Sequence, residues 1–352
     1  MNKNEVDVII IGAGLSGLLT ANRLKKKGYS VLVLEGKDRV GGRIHTLQSN
    51  NGTFMEMGAT WYNAQHFQLI KLLKEFNIDS FEQFTKGLSF FYHSENIPPE
   101  SFVLPNSPAS LRIVGGTNAI IRTLANNLND DELQLNCNVR EINDLGKDQV
   151  IEVKAGNTFY GKKVIVTISP RMWSNTIQFQ PKLPTKLTDI ATNVHTWMSE
   201  SAKIALTYSK PFWKENNLSG VVFSNTGPII ELYDHSDQNE EKFALCGFMN
   251  PQYNQYSLEK RKEIVLLQLQ KIFGKEALEY LAYQEYFWGN DEYVNRKDFE
   301  SLIPHQNNGH FLLSEPQYNR KLMFSGTETG YLHAGYMEGA IISSNTVLEG
   351  FE

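Results

Sequence analysis

Cysteine is scarce in this chain of 352 residues: Cys137 and Cys246 stand far apart and outside any CxxC. That excludes a disulfide scaffold and a cysteine-bound zinc site, and it points to a reducing compartment. Positive charge is not in excess either. The formal net charge is −5, so no long-range attraction to nucleic acid or to an anionic membrane is expected. Long apolar runs are missing. The uncharged stretch from Val8 to Asn22 is too short to span a bilayer and is interrupted by Gly12, Gly14 and Gly17. A signal peptide needs a basic start, and Lys3 is offset by Glu5 and Asp7. There is no internal repeat, no low-complexity segment and no Ser-His-Asp or metal-ligand constellation, and the eight histidines read as ordinary. These absences describe a soluble, cytoplasmic, metal-free protein with no nucleic-acid or membrane partner, and they leave a homodimer open. Core-forming residues are plentiful: 41% of the chain is hydrophobic and 11% aromatic, at a length that suits two domains.

The first 38 residues carry the clearest pattern. Val6 to Ile11 is a continuous β-branched run, as in a strand buried on both faces. Gly12-Ala-Gly14-Leu-Ser-Gly17 comes next, then a helical periodicity from Leu15 to Lys27 that Gly28 stops. Tyr29 to Leu34 reads as a second buried strand ending in Glu35. Gly12 permits the tight turn, Gly14 lets a pyrophosphate approach the backbone, and Gly17 lets helix pack close to strand. The helix start offers free N–H groups and the positive end of a dipole. Glu35 comes 23 residues after Gly12, near the spacing for an acid that binds ribose hydroxyls; its charge would repel a 2′-phosphate and disfavours NADP.

The residues after Glu35 are more specific. "LEGKDRVGGRIHT" sets Arg39, Gly41, Gly42 and Arg43 directly behind it. A nicotinamide dehydrogenase has no need of this second diglycine and arginine, whereas a longer cofactor does. The stretch resembles the N-terminal fingerprint of the flavin-dependent amine oxidase superfamily, monoamine oxidase-like. The resemblance implies an α/β fold of GR2 type: a Rossmann-like FAD-binding domain with a smaller mixed-sheet, α+β substrate domain. It implies that Glu35, with Gly36, holds the adenosine ribose, that Gly42 and Arg43 lie along the diphosphate and flavin, and that Ser16 belongs to the same cofactor set.

The middle of the chain matches more loosely. In "MEMGATWYN" the resemblance implies that Gly58 and Ala59 pass the flavin ring, with Trp61 as the next aromatic. Residues 64 to 76 predict an amphipathic helix with Phe67, Ile70, Leu73 and Phe76 on one face. Residues 79 to 110 contain four prolines that break any long element, and their aromatics read as plain core rather than pocket lining. The resembled family carries a longer helical insertion there, which this chain lacks. Thr117 is a candidate N-cap of a helix after "RIVGG". "LQLNCNVREI" predicts a strand, with Val139 meeting the adenine by resemblance. A hairpin turning at "GN" leads into a buried strand, Val164 to Ile168. Residues 193 to 289 alternate strands with one long helix, Ser257 to Phe273. A lysine on a strand is ordinarily a solvated residue, but Lys203 precedes a "KPFW" corner, where the resemblance implies a lysine holding a water at the reactive edge of the flavin.

The C-terminal segment "FSGTETGYLHAGYMEGAI" matches best. Leu322 to Phe324 predicts a short strand; Gly326 and Thr327 would pass the cofactor, and Glu328 would accept from its ribityl or diphosphate side. Gly335 to Ala340, with Met337, opens a helix running to about Leu348, whose start would face the electron-rich side of a reduced flavin. By resemblance Tyr336 is one wall of an aromatic cage, a surface suited to an amine. Counting from Trp288, which has a match in the family, the second wall falls at Asp298 or Phe299, and Lys297 stands where some relatives attach flavin through cysteine; noncovalent FAD is expected. The implied substrates are a small-molecule amine and dioxygen. The FAD domain would draw on residues 1–78, 111–192 and 290–352, and the substrate domain on 79–110 and 193–289. An amino-acid oxidase, a polyamine oxidase or a desaturase of the same fold stays open, with Arg112 or Arg296 as the cation an amino-acid substrate would need. A non-catalytic flavoprotein stays open too, and an NAD-dependent dehydrogenase would be colourless.

Overall fold

The computed structural model describes residues 5–146 and 150–351; Lys3, part of the leader argument, lies outside them. Strand β1 (Glu5–Ile11) leads into helix α1 (Leu15–Lys26) and strand β2 (Val31–Leu34), which pairs parallel to β1 with Ile10 opposite Val33. On the other side β1 pairs parallel with Asn157–Val166, placing Ile11 opposite Val166, and that strand in turn pairs parallel with Leu322–Phe324. The β-branched runs that predict these strands are buried on both faces, with Ile9, Ile10, Val164 and Ile165 at 0% exposure. Leu133–Gln134 extends the sheet beyond β2, and Ile151–Ala155, Glu141–Asp144 and Gln178–Gln180 extend the other side. Ile151–Ala155 runs antiparallel to its neighbours, so the eight-stranded sheet is mixed.

A second, seven-stranded sheet is built from Tyr280–Phe287, Ala202–Tyr208, Phe243–Met249, Ile229–Asp234, Leu218–Ser224, Leu88–Tyr92 and Glu100–Val103, in that order. It is antiparallel except where Leu218–Ser224 meets Leu88–Tyr92. Its buried face packs with a long helix, and Phe90, Phe212 and Phe273 meet edge to edge there. Of the aromatics between residues 79 and 110, Tyr92 and Phe90 join this core, while Phe81 and Phe84 lie under the charges of Arg112 and Lys214.

Four further helices complete the frame of the site: α2 (Phe67–Glu75), α3 (Asn118–Ala125), α4 (Leu258–Phe273) and α5 (Met337–Leu348). Three local expectations are corrected. Helix α2 buries Leu69, Leu72 and Leu73, and Ile70 and Phe76 pack against the core, while Phe67 is 71% exposed and leaves the expected face. Thr117 makes no side-chain cap. The Glu56 carboxylate accepts from the Thr117 N–H (2.6 Å) and the Thr46 hydroxyl from the Asn118 N–H (3.0 Å), so α3 is capped from a distant hairpin. "LQLNCNVREI" is two short strands, not one. Asn136 takes a left-handed conformation (φ 58°), and the Asn136 and Cys137 N–H groups donate to the Lys37 and Glu35 carbonyls, which bends the chain around the end of β2.

Candidate active site

Helices α1 and α5 lie side by side although they come from opposite ends of the chain. Ser16 and Ser325 share a hydrogen bond of 2.7 Å, Ser325 and Ser343 one of 3.0 Å, and Thr20 and Ser344 one of 2.8 Å, all buried. Neither helix start has a side-chain cap: the N-cap positions are Gly14 and Tyr336. Both open on one cavity of 510 Å³, whose wall is also formed by residues 34–37, 41–44, 137–140, 167–169, 289–290, 292–298 and 326–327. Unsatisfied N–H groups at two helix starts, aimed at one space, make an anion-accepting surface.

At the α1 end the geometry explains the glycines. Gly12 has φ 104°, outside the range of ordinary residues, and a methyl group on Gly17 would collide with the Gly12 carbonyl oxygen. A methyl on Gly14 would meet no protein atom within 4 Å, because that direction is open. Glu35 is buried; its two oxygens accept from the Ala13 N–H (2.7 Å) and the Lys37 N–H (2.9 Å). Burial pushes its carboxyl above the usual range, and those two N–H groups with the Lys37 and Arg39 charges pull against that. Gly36 leaves room for Tyr293, since a methyl on it would come within 2.5 Å of the ring. Val139 and the neighbouring backbone close this end.

At the α5 end, Gly326, Tyr336, Met337, Arg43 and Ala59 line the wall. Glu328 stands behind it, fully buried, with its carboxylate held in a bidentate pair by Arg43 (2.6 and 2.9 Å) and accepting from the Trp197 N–H (3.3 Å). In this geometry Glu328 faces Arg43, not the cavity. Gly17, Gly58, Trp61, Lys203 and Trp288 also lie behind the wall, whereas Gly12, Gly14, Ser16, Glu35, Gly36, Gly42 and Val139 are on it. The Trp288 indole donates to the Met57 carbonyl (2.7 Å), and a methyl on Gly58 would collide with the Arg43 carbonyl. Lys203, 1% exposed in the second sheet, is not a solvated residue. Its ammonium donates to the Thr60 hydroxyl (3.1 Å) and sits 4.8 and 4.4 Å from the Trp61 and Phe248 rings. The Trp61 indole donates to Gln83 (2.7 Å), which fixes that ring.

The residues beside Tyr336 are not those expected. Asp298 forms a bidentate pair with Arg296 (both contacts 2.9 Å), and Phe299 lies under the Arg171 guanidinium at 4.3 Å. Trp197 stands instead 5.7 Å from Tyr336, His305 stacks on Trp197 at 4.0 Å and lies 6.1 Å from Tyr336, and His66 lies 6.0 Å away. The histidines are therefore not all scattered: His66, His305 and His333 gather at Tyr336. No motif marks Trp197 in the sequence. The one legible trace is Gly335, where a methyl would come within 2.7 Å of the Trp197 Cβ. Burial holds the imidazoles of His66 and His305 below their usual range, favouring the neutral form.

Among the described residues no three His, Cys, Asp or Glu side chains are grouped to hold a metal, and no helix is long and apolar enough to cross a membrane.

Comparison with known proteins places these features. Residues 15–109 and 96–347 match the family model described as flavin containing amine oxidoreductase. The probable flavin-containing monoamine oxidase A of Dictyostelium discoideum is 24% identical, over 96% of this chain and 95% of that protein. That alignment runs over 442 positions, more than the residues of this chain, so the relative carries stretches with no counterpart here. Among solved structures, wild-type putrescine oxidase bound to putrescine superposes with a TM-score of 0.83 at 21% identity, over 98% of both chains. Cyclohexylamine oxidase from Brevibacterium oxydans gives 0.84 at 20% identity, again over 98% of both chains.

Proposed function

This chain belongs to the flavin containing amine oxidoreductase family and is an oxidoreductase, and from that premise we propose that it binds FAD noncovalently and oxidises the carbon–nitrogen bond of an amine. The observation that carries the reading is the convergence of two uncapped helix starts and a ribose-spaced acid on one cavity with an aromatic wall. The fit to the cofactor rests on the open direction above Gly14, on the positive φ at Gly12, and on the free N–H groups of α1 and α5. Glu35 and Val139 would hold the adenosine end, Gly12, Gly14, Ser16, Gly42 and Arg43 the diphosphate, and Ala59, Gly326 and Met337 the ring. Glu328 acts through Arg43 by fixing its guanidinium. Lys297 lines the cavity where a cysteine would be needed for covalent attachment. The cofactor part would comprise residues 1–78, 111–192 and 290–352, and the substrate part 79–110 and 193–289, which supply the strands of the second sheet.

When bound, the flavin would supply a two-electron acceptor for the hydride on the carbon next to nitrogen, with dioxygen as the final oxidant, reduced to hydrogen peroxide, and the imine product lost to hydrolysis. The protein's part is positioning and exclusion of water. Tyr336 offers an aromatic face to the amine, with the Trp197 ring packed beside it. Lys203 is placed to hold a water or a proton through its ammonium against Thr60 and Trp61.

An amine suits the site better than an amino acid, because Arg43, Arg112 and Arg296 are engaged and Arg140 lies beside Val139 at the far end of the cavity. Arg43 is committed to Glu328, Arg296 to Asp298, and Arg112 donates to the carbonyls of Ser236 (2.8 Å) and His235 (3.3 Å). The test is the visible spectrum of the purified protein, release of FAD by acid, and peroxide formation with a panel of amines and amino acids. A yellow protein giving peroxide with amines alone is the expected result. A colourless protein, or bound flavin that no amine reduces, would sink the proposal.

A further inference from the structure

The mouth of the site at Tyr336 is an open apolar rim. Tyr336 lines the cavity and is itself 41% exposed; around it Phe67, Ile303, Phe311, Tyr331 and Leu332 are 54 to 73% exposed. Contacts made by their sequence neighbours tie these segments to Tyr336. His66, next to Phe67, meets the His333 ring edge-on at 5.0 Å. His305, two residues after Ile303, stacks on Trp197 beside Tyr336. A methyl on Gly309 would lie 3.6 Å from the Tyr331 Cα, and Phe311 stacks on the ring of its neighbour His310. The three segments that build the rim, residues 63–70, 303–314 and 329–337, contain no Asp, Glu, Lys or Arg, in a chain that is 21% charged. Exposed apolar side chains without fixed charge mark a binding surface where they gather, and here Tyr336 joins them to the cavity wall.

Building on the amine-oxidation reading, we propose that this rim binds the hydrocarbon body of the substrate, so that the preferred substrates are primary monoamines with a long uncharged chain. The nitrogen sits in the cavity beside Tyr336 and the chain lies outward over Leu332, Phe67 and Ile303. A molecule that enters the cavity by its amino end has this surface directly in its path. A second charged end would be set on a surface with nothing to pair it.

The holoenzyme is tested with n-alkylamines from butyl to decyl and with α,ω-diamines of the same lengths, by peroxide release and by calorimetric Kd. One-sided contact recovers about half of the transfer free energy of a fully buried methylene, so kcat/KM should rise and Kd fall about twofold per added CH₂ beyond the cavity. Monoamines should exceed diamines of equal length. In Phe67→Ser and Leu332→Ser the dependence on length should flatten, while the decyl-to-butyl preference returns in Leu332→Met. A flat series in both readouts, or preference for diamines, overturns the proposal. So does a dimer by light scattering that Leu332→Ser dissociates, with a flat series, since the rim would then be a subunit contact. If no amine is turned over, the oxidase reading fails, and the Kd series still decides the rim.

Discussion

Glu35 shows how much a single side chain has to do here. Both of its oxygens satisfy backbone N–H groups of the chain's own turn, and the proposed ribose contact uses the lone pairs that remain. Glu35→Ala therefore removes a ligand contact and leaves two N–H groups near the cavity unpaired. The expected outcome is loss of flavin on gel filtration, read as the ratio of visible to ultraviolet absorbance; full retention would remove Glu35 from the ribose role. Lys203→Met keeps the length of the side chain and deletes the charge. We expect at least tenfold slower flavin reduction or reoxidation in stopped flow with an unchanged resting spectrum, and unaltered kinetics would make Lys203 purely structural. The Arg43–Glu328 pair is a stability feature as well. Glu328 is fully buried, and breaking a buried pair from one side costs about 3–5 kcal/mol. Arg43 is partly exposed, so Glu328→Ala should cost less than that, about 2–3 kcal/mol of unfolding free energy in urea titration.

At the scale of elements, the chain uses long-range partners where local ones were expected. The Glu338 carboxylate, in the first turn of α5, accepts from the Gln68 (2.9 Å) and Leu69 (2.8 Å) N–H groups and so caps α2 from 270 residues away. Glu338→Ala should destabilise the protein by about 1–2 kcal/mol, as loss of a cap does, and should raise amide exchange in α2 before other helices; uniform exchange would show that the cap is unimportant. This is also why some elements were legible and others not. β1, α1, β2 and α5 are announced by local patterns: a β-branched run, a glycine turn, a helical period. The capping of α3 by Glu56, the break at Asn136 and the approach of Trp197 to Tyr336 depend on residues far apart in sequence, and no local period encodes them. Lys203 lies between: its strand is readable, but its aromatic box comes from Trp61 on a different loop.

For the molecule as a whole, acid is the informative perturbation. Burial, aided by the Arg39 and Lys37 charges and opposed by Asp291, brings the His45 imidazole from 6.5 down to about 4. The unfolded chain takes up that proton near its ordinary value and the folded one does not. The stability His45 supports is therefore complete above about pH 6.5 and is lost as pH falls towards 4, by at most one proton, about 1.4 kcal/mol per pH unit. Burial shifts His66, His235 and His305 the same way, while Glu35 and Glu56, whose carboxyls it raises, act oppositely. The readout is hence the difference between wild type and His45→Gln: the variant's urea midpoint should vary less between pH 7 and 4.5, and parallel curves would refute the assignment.

The pairing of α1 with α5 also fixes an order of events during synthesis. Leu322–Phe324 and α5 leave the ribosome long after α1, since the Ser16 hydroxyl finds its partner at Ser325, 309 residues downstream. Until then a nascent chain owns the turn for one end of the proposed cofactor and only part of the wall for the other. Ligand capture must therefore wait until α5 has emerged, and the half-built cleft has to be kept from aggregating in the meantime.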